Sequence, residues 1–422
     1  MSKSITSLLG IQGWFKTQNI FEEKNTIHLF LKQLRKTAVC SRCGKRTSTG
    51  YDKQTSRSFL HTTIGSKLLF IHISPRRFVC LCSPGKPFRE ELPGINKRRT
   101  TTAKFDQELM HHLSGQSFKT VERKYALTYP AVRARLLEAV NPMDIRWDLL
   151  SDLPEIHLGL DGHHLVNRRF VETIAEVKQR IPLGILPSDS KVTVRQALLT
   201  CPPELASKIR SATVDMTEGT INTLKEVFPD ISIVIDHYHV IADANRRLNQ
   251  TRLIEQEALN LERTRHKLSR IDIPTTLMRK AREHLNEKRR EAEYLTTMLS
   301  HYPRLRVWYL CKERLRSVYK AKDRDEAGIL LSSLISTMRT SDDIELRLWG
   351  KTLIRFREEI LNYFIYRTTN AYTEGLHVRL KLVQRISCGF RNANVYIRKA
   401  LLVLLPLSVV ITNTYYLSHY PL

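Results

Sequence analysis

The sequence has no hydrophobic run long enough to cross a membrane. Its longest apolar stretch, residues 401–412, falls short of the ~20 residues that a bilayer span needs, and Pro406 interrupts it. The first residues, MSKSITSLLGIQGWF, have no long apolar segment and no small-residue cleavage site. We therefore expect no secretory signal and no membrane anchor.

Acidic residues are scarce relative to basic ones. The 422 residues include 42 Asp and Glu against 68 Lys and Arg, which gives a formal net charge of +26. A long chain with this excess usually binds a polyanion, so nucleic acid is the first candidate and an anionic membrane surface the second. A merely basic or ribosome-associated protein stays open. The length allows two or three domains.

Cysteine is sparse, but four of the seven cysteines form two close pairs in the strand-like residues 1–95. The pairs are Cys40 with Cys43, in the sequence CSRCG, and Cys80 with Cys82. Two such pairs can hold zinc in a tetrahedral four-cysteine site. Since the second pair, CxC, is tighter than the usual CxxC, His61 or His72 could replace one cysteine. Four reduced core thiols are the alternative.

Residues 117–139, SFKTVERKYALTYPAVRARLLEA, predict two short helices separated by a break. Ser117 and Thr128 are suitable N-cap residues for them. The inward stripe of the second helix is Val132, Leu136 and Val140. This stripe leaves Arg133 and Arg135 pointing outward, as in a helix-turn-helix whose second helix enters the major groove of DNA. Any helical hairpin could show the same pattern.

Residues 155–240 alternate short apolar runs with helical ones in the order β-β-β-α-β-α-β-α. Asp161 follows IHLGL and Asp215 follows SATV, so these two carboxylates end strands that could be neighbours in one sheet. Carboxylates held side by side repel each other unless a cation lies between them, which is the geometry for Mg²⁺ or Mn²⁺. Two such ions can activate a water or a 3′-hydroxyl for attack on a phosphodiester. Each Asp alone would more often be a loop or capping residue.

A third acid is expected late in the chain. Residues 369–381 predict a helix on which Glu374, His377 and Lys381 share one face at positions i, i+3 and i+7. A carboxylate beside basic groups suits a metal site next to a phosphate backbone. The alternative is a first-turn Glu that the helix dipole favours.

Asp236 competes with Glu374 for the third position, because it ends the apolar run ISIVI and precedes His237 and His239. Histidine is a poor ligand for Mg²⁺, so this DHYH cluster would suit zinc better. Asp is also a common N-cap, and the cluster opens a predicted helix. We therefore expect Asp236 to have a supporting role: capping the helix, contacting DNA or holding another site residue.

Segments ordered along nearly the whole chain resemble bacterial insertion-sequence transposases of the ISL-three family. They are CSRCG, RRFVC, the helix-turn-helix, LGLDGHH, ATVDMTEG, EVFPDISIVIDHYHV, EEILNYF and TTNAYTEGLHVRLKLVQRISCGFRNANVYIR. The resemblance implies a DDE catalytic core in which Asp161, Asp215 and Glu374 are the triad and bind Mg²⁺ or Mn²⁺. The chain departs from the family at the CxC pair, at His377, where Asn is expected, and in a short segment after Asp161.

The resemblance also implies a fold and a domain order. The expected fold is an α/β core of ribonuclease H-like type, a mixed sheet flanked by helices, with a large helical insertion. The expected domains are a zinc-binding β-rich module (1–95), a helix-turn-helix (96–150), the first part of the core (151–245), the helical insertion (246–366) and the C-terminal core helices with the third acid (367–422).

The function expected from the resemblance is transposition. The chain would bind the terminal inverted repeats of its element and catalyse metal-dependent cleavage and strand transfer on double-stranded DNA, at both transposon ends and target. It would act as a homo-oligomer, at least dimeric in the synapse, in the bacterial cytoplasm at the nucleoid, and it would have no membrane partner. The alternatives are a catalytically degenerate DNA-binding regulator and a ribonuclease H-like nuclease or resolvase that cuts without joining.

Overall fold

The structure is a computed structural model that describes residues 9–11, 13–92, 94–95, 99–142, 145–164 and 170–411. Contacts among residues divide the chain into two units. The first unit consists of residues 1–144, 165–167 and 378–422, and the second of residues 145–164 and 168–377. The finer five-part division expected from the sequence stays a prediction.

The first unit opens with short strands. They are β1 (Phe15–Glu22), β2 (Thr26–Gln33), β3 (Ala38–Val39), β4 (Arg46–Thr47), β5 (Gly50–Lys53), β6 (Arg57–Ile64), β7 (Lys67–Ile73), β8 (Arg76–Phe78) and β9 (Phe88–Arg89). A four-stranded sheet has the order β1-β2-β7-β6, with β2 and β7 parallel and the other pairs antiparallel. Leu29 and Leu31 on β2 and Leu69 and Ile71 on β7 are buried at alternate positions, so one face of this sheet forms a core.

The two cysteine pairs lie in a separate small core of the first unit. A two-stranded sheet of β3 and β4 and a three-stranded sheet of β5, β8 and β9 surround it. Its buried members are Ala38, Cys40, Phe78, Cys80 and Phe88. This core is small enough that a metal ion bound to the cysteines would be a large part of its stability.

Three helices follow in the first unit: α1 (Ala103–Gly115), α2 (Phe118–Tyr125) and α3 (Tyr129–Ala139). The last two are the helices predicted from residues 117–139. The hydroxyl of Ser117 accepts a hydrogen bond from the backbone N–H of Thr120 at 3.0 Å, which is the expected cap of α2. Ala126 then adopts a left-handed conformation (φ 51°) and ends α2 before Thr128, the N-cap of α3.

Arg135 does not point outward, which corrects the sequence-based expectation for this residue. Its Nε lies 3.0 Å from a carboxylate oxygen of Asp106, which is fully buried on α1. Its guanidinium also donates to the hydroxyl of Thr101 at 3.1 Å. A buried carboxylate needs a charged partner, and this need holds Arg135 against the protein interior. Arg133, in contrast, is half-buried on α3, and its DNA contact stays a prediction.

A mixed five-stranded sheet forms the centre of the second unit. Its elements are a 3₁₀ turn (Trp147–Leu150), β10 (Ile156–His164), β11 (Phe170–Glu176), β12 (Ile181–Leu186), α4 (Lys191–Leu198), α5 (Pro203–Ala206), β13 (Ile209–Val214), α6 (Glu218–Val227), β14 (Ser232–Ile235) and α7 (His237–Arg265). The sheet order is β12-β11-β10-β13-β14. β12, β11 and β10 are antiparallel neighbours, while β10, β13 and β14 run parallel. The order of strands and helices predicted from residues 155–240 is confirmed, with the short α5 added.

The chain between α7 and Glu374 is mostly helical. Its elements are α8 (Thr275–Arg279), two 3₁₀ turns (Arg282–His284 and Glu287–Arg289), α9 (Glu291–His301), α10 (Pro303–Val318), α11 (Arg324–Arg339), α12 (Ile344–Arg355), α13 (Arg357–Leu361) and α14 (Tyr363–Tyr366). Trp308 on α10 and Trp349 on α12 stack with ring centroids 5.5 Å apart. The side-chain amide of Asn362 donates to the backbone carbonyl of Ile233 at 2.8 Å, so these helices are tied directly to β14.

The chain closes with α15 (Ala371–Ile386), α16 (Ala393–Leu404) and α17 (Leu407–Val410). Residues 371–377 of α15 belong to the second unit and residues 378–386 to the first. Within the first unit, α16 packs on α1 and α3. Across the residues that the structure describes, no helix is both long and apolar enough to span a bilayer.

Candidate catalytic site

Three parallel strands of the second unit carry the candidate acids to one level of the sheet. Gly159 on β10 pairs with Thr213 on β13, so Asp161 and Asp215, each two residues further on, lie side by side. Val214 on β13 pairs with Ile235 on β14, so Asp215 and Asp236 are also level. The register therefore aligns three aspartates at the same edge of the sheet. Asp236 therefore lies close enough to the other two aspartates to influence them.

Asp161 lies inside a strand and not at its end. β10 continues past it to His164, because the outer half of β10 pairs with β11, and Asp161 stands opposite Thr173. Its side chain is buried, with a relative exposure of 8%. A sheet position of this kind fixes the carboxylate more firmly than a loop would.

Glycine at position 159 allows the start of α15 to approach the sheet. A Cβ there would lie 2.3 Å from Cγ1 of Val177 and 2.9 Å from Oδ1 of Asn370, so a side chain does not fit. Because the two segments lie this close, the side-chain amide of Asn370 can donate a hydrogen bond to the backbone carbonyl of Leu160 at 3.0 Å. These contacts bring the first turn of α15, and with it Glu374, over β10.

Glu374 meets two residues from β14 and α7. Ligand atoms of Asp236, His239 and Glu374 all lie within 4.8 Å of one another. His239 was not predicted as a site residue, and its Nε2 is buried without a hydrogen-bond partner among the described residues. A carboxylate pair with an imidazole at this spacing can bind a divalent cation.

The acids perturb each other electrostatically. Burial is the main cause that raises the pKa of Asp161 to about 7; His239 opposes this rise, while the negative charges of Glu374, Asp215 and Asp236 add to it. A carboxyl group this close to other carboxyls gives up its proton reluctantly at neutral pH. A cation bound among these side chains would reverse that effect and leave them ionised.

The carboxylate of Asp236 accepts hydrogen bonds from the protein backbone. Its carboxylate accepts from the backbone N–H of Tyr238 at 3.2 Å, which caps α7, and from the backbone N–H of Asn370 at 3.1 Å. Burial works against the charged form, but contacts from His237, Tyr238 and Asn370 hold the pKa of Asp236 below its usual value. Asp236 therefore links the start of α7 to the segment that leads into α15.

A fifth acid, Glu172, was missed by the sequence analysis. It lies on β11 with a relative exposure of 5%, and burial, followed by the charges of Asp161, Asp215 and Asp189, raises its pKa to about 8. In sequence it stands inside the apolar run FVETIAE, and a polar residue among buried ones was the available signal. It pairs with Gly162 on β10, one residue beyond Asp161, so its side chain lies on the opposite face of the sheet from that of Asp161.

His377 and Lys381 differ in their surroundings. His377 is buried; its Nδ1 lies 3.5 Å from Oδ2 of Asp161, and its Nε2 lies 3.3 Å from the hydroxyl of Thr173. The ring of His163 stacks on it with centroids 5.0 Å apart. Lys381 is exposed and belongs to the first unit. The DNA contacts expected of both residues stay predictions.

The cysteine pairs of the first unit converge. The Sγ atoms of Cys40 and Cys82 are 3.7 Å apart, and those of Cys43 and Cys80 are 3.6 Å apart. A zinc ion with Zn–S bonds of ~2.3 Å in tetrahedral geometry separates its sulfurs by ~3.8 Å, so the four thiols fit structural zinc. The backbone amide of Arg42, helped by that of Cys43, lowers the pKa of Cys40 to about 6, which favours the thiolate that zinc needs.

The two histidines considered as substitutes for a cysteine have other partners. Nδ1 of His61 lies 3.0 Å from the hydroxyl of Thr102, and its Nε2 lies 3.1 Å from the carbonyl of Leu9. Nε2 of His72 lies 2.8 Å from Nδ1 of His28. The cluster of possible zinc ligands therefore consists of the four cysteines.

Comparisons with known proteins identify the family of the chain. A family model for DDE transposases of the ISL-three type, described as "Transposase", matches residues 158–400, more than half of the chain. The transposase for insertion sequence element IS1001 of Bordetella parapertussis is 23% identical over 405 residues, which cover 94% of this chain and 97% of that protein. The transposase for insertion sequence element IS1557 of Mycobacterium tuberculosis is 22% identical over 388 residues, 86% of this chain and 85% of that protein.

The chain also aligns with solved structures. Among them, the Drosophila P element transposase strand transfer complex matches with a TM-score of 0.37 and 11% identity, covering 74% of this chain and 94% of that chain.

Proposed function

The chain belongs to the ISL-three family of transposases, and from that premise we propose that Asp161, Asp215 and Glu374 form a DDE site that cuts and joins DNA. These three side chains would hold Mg²⁺ or Mn²⁺ through oxygen ligands, which both ions prefer. When bound, a pair of such ions activates a water or a 3′-hydroxyl and stabilises the leaving oxygen of the phosphodiester. The core would be of ribonuclease H-like type, and the strand order β12-β11-β10-β13-β14 supports this assignment.

The observation that carries the proposal is the convergence of carboxylates from three strands and one helix. Glu374, Asp215 and Asp236 all raise the pKa of Asp161, whose own burial is the largest cause of the shift. Packing acids together without a cation costs stability, so the arrangement makes physical sense as a metal site. A purely structural role would not require that mutual repulsion.

Other side chains of the site would position these three. His377 would orient Asp161, which lies 3.5 Å from its ring nitrogen. Asp236 would hold the starts of α7 and α15 through backbone N–H groups. His239, within 4.8 Å of Glu374 and Asp236, would complete the polar wall around the metal.

DNA recognition would lie mainly in the first unit. The four-cysteine cluster would stabilise its small core through zinc, and Arg133 on α3 would contact the terminal inverted repeats. His377 and Lys381 would meet the backbone near the scissile phosphate. The double-stranded DNA partner, at transposon ends and target, agrees with a net charge of +26. Joining two ends to one target would require at least a dimer.

Metal binding tests the triad without relying on activity. We expect Mn²⁺ titration of the full chain, followed by electron paramagnetic resonance, to show binding that Asp161→Asn and Asp215→Asn weaken about 10-fold or more, because each removes a charged ligand. The same variants should bind a DNA duplex as wild type but lose Mg²⁺-dependent cleavage. The exposed Asp152→Asn is the matched control and should change neither. Wild-type Mn²⁺ affinity in both site variants would show that these aspartates are not ligands.

A further inference from the structure

The outward face of the N-terminal sheet carries a cluster of aromatic rings. Its members are Phe21 on β1, His28 and Phe30 on β2, and Phe70 and His72 on β7. They lie on three adjacent strands, on the face opposite the buried core of the sheet. We call this cluster the ring face.

The rings of this face are arranged in two rows across the strands. In one row Phe30 stacks on His72 with centroids 4.4 Å apart and planes 14° apart. In the other row His28 stacks on Phe70 at 5.5 Å and 11°. A hydrogen bond of 2.8 Å between His28 and His72 ties the rows together. The rings therefore stand upright on the sheet and hold one another in place.

The first row is open at one end. His72 stacks on one face of the Phe30 ring, and the residue opposite Phe30 on β1 is Asn19, so among the described residues no second ring stacks on Phe30 from that strand. Phe30 accordingly keeps 37% of its surface exposed, and Phe21 in the next row keeps 53%. Cross-strand aromatic pairs stabilise a sheet, but stabilisation alone does not require rings with an accessible face.

Positive charge lies beside the open end. Lys16 on β1 and Lys32 on β2 are direct cross-strand partners, and both are exposed. Like charges opposite each other destabilise a sheet, so an anion between them would be stabilising. Lys32 is two residues from Phe30 on the same face, a distance of ~7 Å along the strand. That distance is similar to the spacing from a nucleotide base to a neighbouring phosphate.

We propose that the ring face binds unpaired DNA, with a base stacked on the open face of Phe30 and a backbone phosphate between Lys16 and Lys32. The inference rests on the proposed function only in taking DNA as the partner. Bases inside a duplex are covered on both faces by their neighbours, so a flat aromatic surface selects bases exposed at a nick, a frayed end or a single strand. Stacking on aromatic side chains is the usual way in which proteins hold such bases.

Photocrosslinking to the full chain tests the position of the site. A 12-nucleotide oligothymidine with one 5-iododeoxyuridine is irradiated with the protein while an unlabelled duplex saturates the duplex-binding surfaces. We expect mass spectrometry to find the crosslink in the peptide that contains Phe30. A crosslink confined to other peptides would overturn the proposal.

Affinity measurements test the two contacts separately. Under the same conditions, Phe30→Leu should weaken binding of the oligothymidine about 10-fold, since one stacked base contributes ~1–3 kcal/mol, while Phe30→Tyr should keep it. The double change Lys16→Gln and Lys32→Gln should reduce the slope of log affinity against log salt by about 0.7, because the two lysines contact one phosphate and each phosphate contact contributes ~0.7. Tyr51→Leu, which removes an exposed ring elsewhere in the unit, is the control.

Three results would contradict the ring-face proposal. Wild-type oligothymidine affinity in Phe30→Leu would exclude stacking. An equal loss of duplex affinity in that variant would indicate a general defect in place of a site for unpaired bases. A change in sedimentation from oligomer to monomer, with unchanged DNA binding, would assign the face to a second copy of the chain. None of these outcomes bears on Asp161, so the proposed catalytic function would stand.

Discussion

At the scale of single residues, the main feature of the site is that burial and neighbouring charges change how readily each carboxyl group ionises. Burial and neighbouring acids raise the pKa of Asp161 to about 7 and that of Glu172 to about 8. Asp236 behaves in the opposite way, because backbone N–H groups and His237 stabilise its charge. Carboxyl groups in the same region of the protein thus have different pKa values because their surroundings differ.

Glu172 makes a prediction about pH. A buried acid whose pKa is raised is neutral at low pH, so the folded state loses stability as pH rises through the interval from the usual Glu pKa to about 8. Glu172→Gln keeps the shape and cannot ionise. We expect the variant to match wild type near pH 5 in Mg²⁺-free buffer and to be more stable at pH 9, by on the order of 3 kcal/mol.

The measurement is the difference in urea unfolding midpoints between variant and wild type across this pH range. The exposed Glu204→Gln serves as the control, and its difference should stay near zero at every pH. A pH-independent difference for Glu172→Gln would mean that this carboxyl does not titrate inside the site.

The sequence identified some of these residues and not others, for physical reasons. Asp161, Asp215 and Asp236 each follow an apolar run, and that pattern is readable without a structure. The charge of Asp161 acts on Glu172 only because β10 and β11 pair, and Arg135 turns inward because Asp106 is buried beside it. Contacts between distant segments leave no periodic signal, so residues defined by such contacts are the ones that sequence analysis missed or misplaced.

At the scale of secondary-structure elements, the decisive feature is the approach of α15 to β10. The predicted strand and helix order was confirmed because alternating apolar runs and caps specify it locally. The closeness of α15 could not be predicted, since it depends on Gly159 leaving room for Asn370. The break after α2 was predicted, but the left-handed backbone conformation of Ala126 that produces it was not.

Two glycine substitutions test whether close packing of α15 on β10 depends on Gly159. Gly159→Ala places a methyl group 2.3 Å from Val177 and 2.9 Å from Asn370, so we expect a loss of ~1–3 kcal/mol in stability and reduced activity through displacement of Glu374. Gly375→Ala, one residue after Glu374, meets nothing within 4 Å and should stabilise α15 by ~0.5–1 kcal/mol. Urea unfolding of the two variants measures both effects. Equal stability of both would contradict the close-packing argument.

At the scale of the whole molecule, charge and chemistry point to the same partner. The net charge of +26 suits a polyanion, the four-cysteine cluster suits zinc, and the acids of the second unit suit Mg²⁺ or Mn²⁺. The family model spans residues 158–400 and so includes the aspartates, the helices between β14 and α15, and Glu374. The order of motifs along the chain was enough to predict this family, whereas the grouping of residues 378–422 with the first unit was not foreseeable from that order.

The proposed triad is tested most directly by comparing Glu374→Gln with Asp236→Asn in Mg²⁺-dependent strand transfer, using a duplex that carries the inverted repeats flanking the gene. We predict that Glu374→Gln retains wild-type stability and DNA binding but loses strand transfer, because we propose Glu374 as a metal ligand. We predict a partial defect with lowered stability for Asp236→Asn, because Asp236 accepts backbone hydrogen bonds from Tyr238 and Asn370. A fully active Glu374→Gln beside an inactive, well-folded Asp236→Asn would contradict the proposed triad.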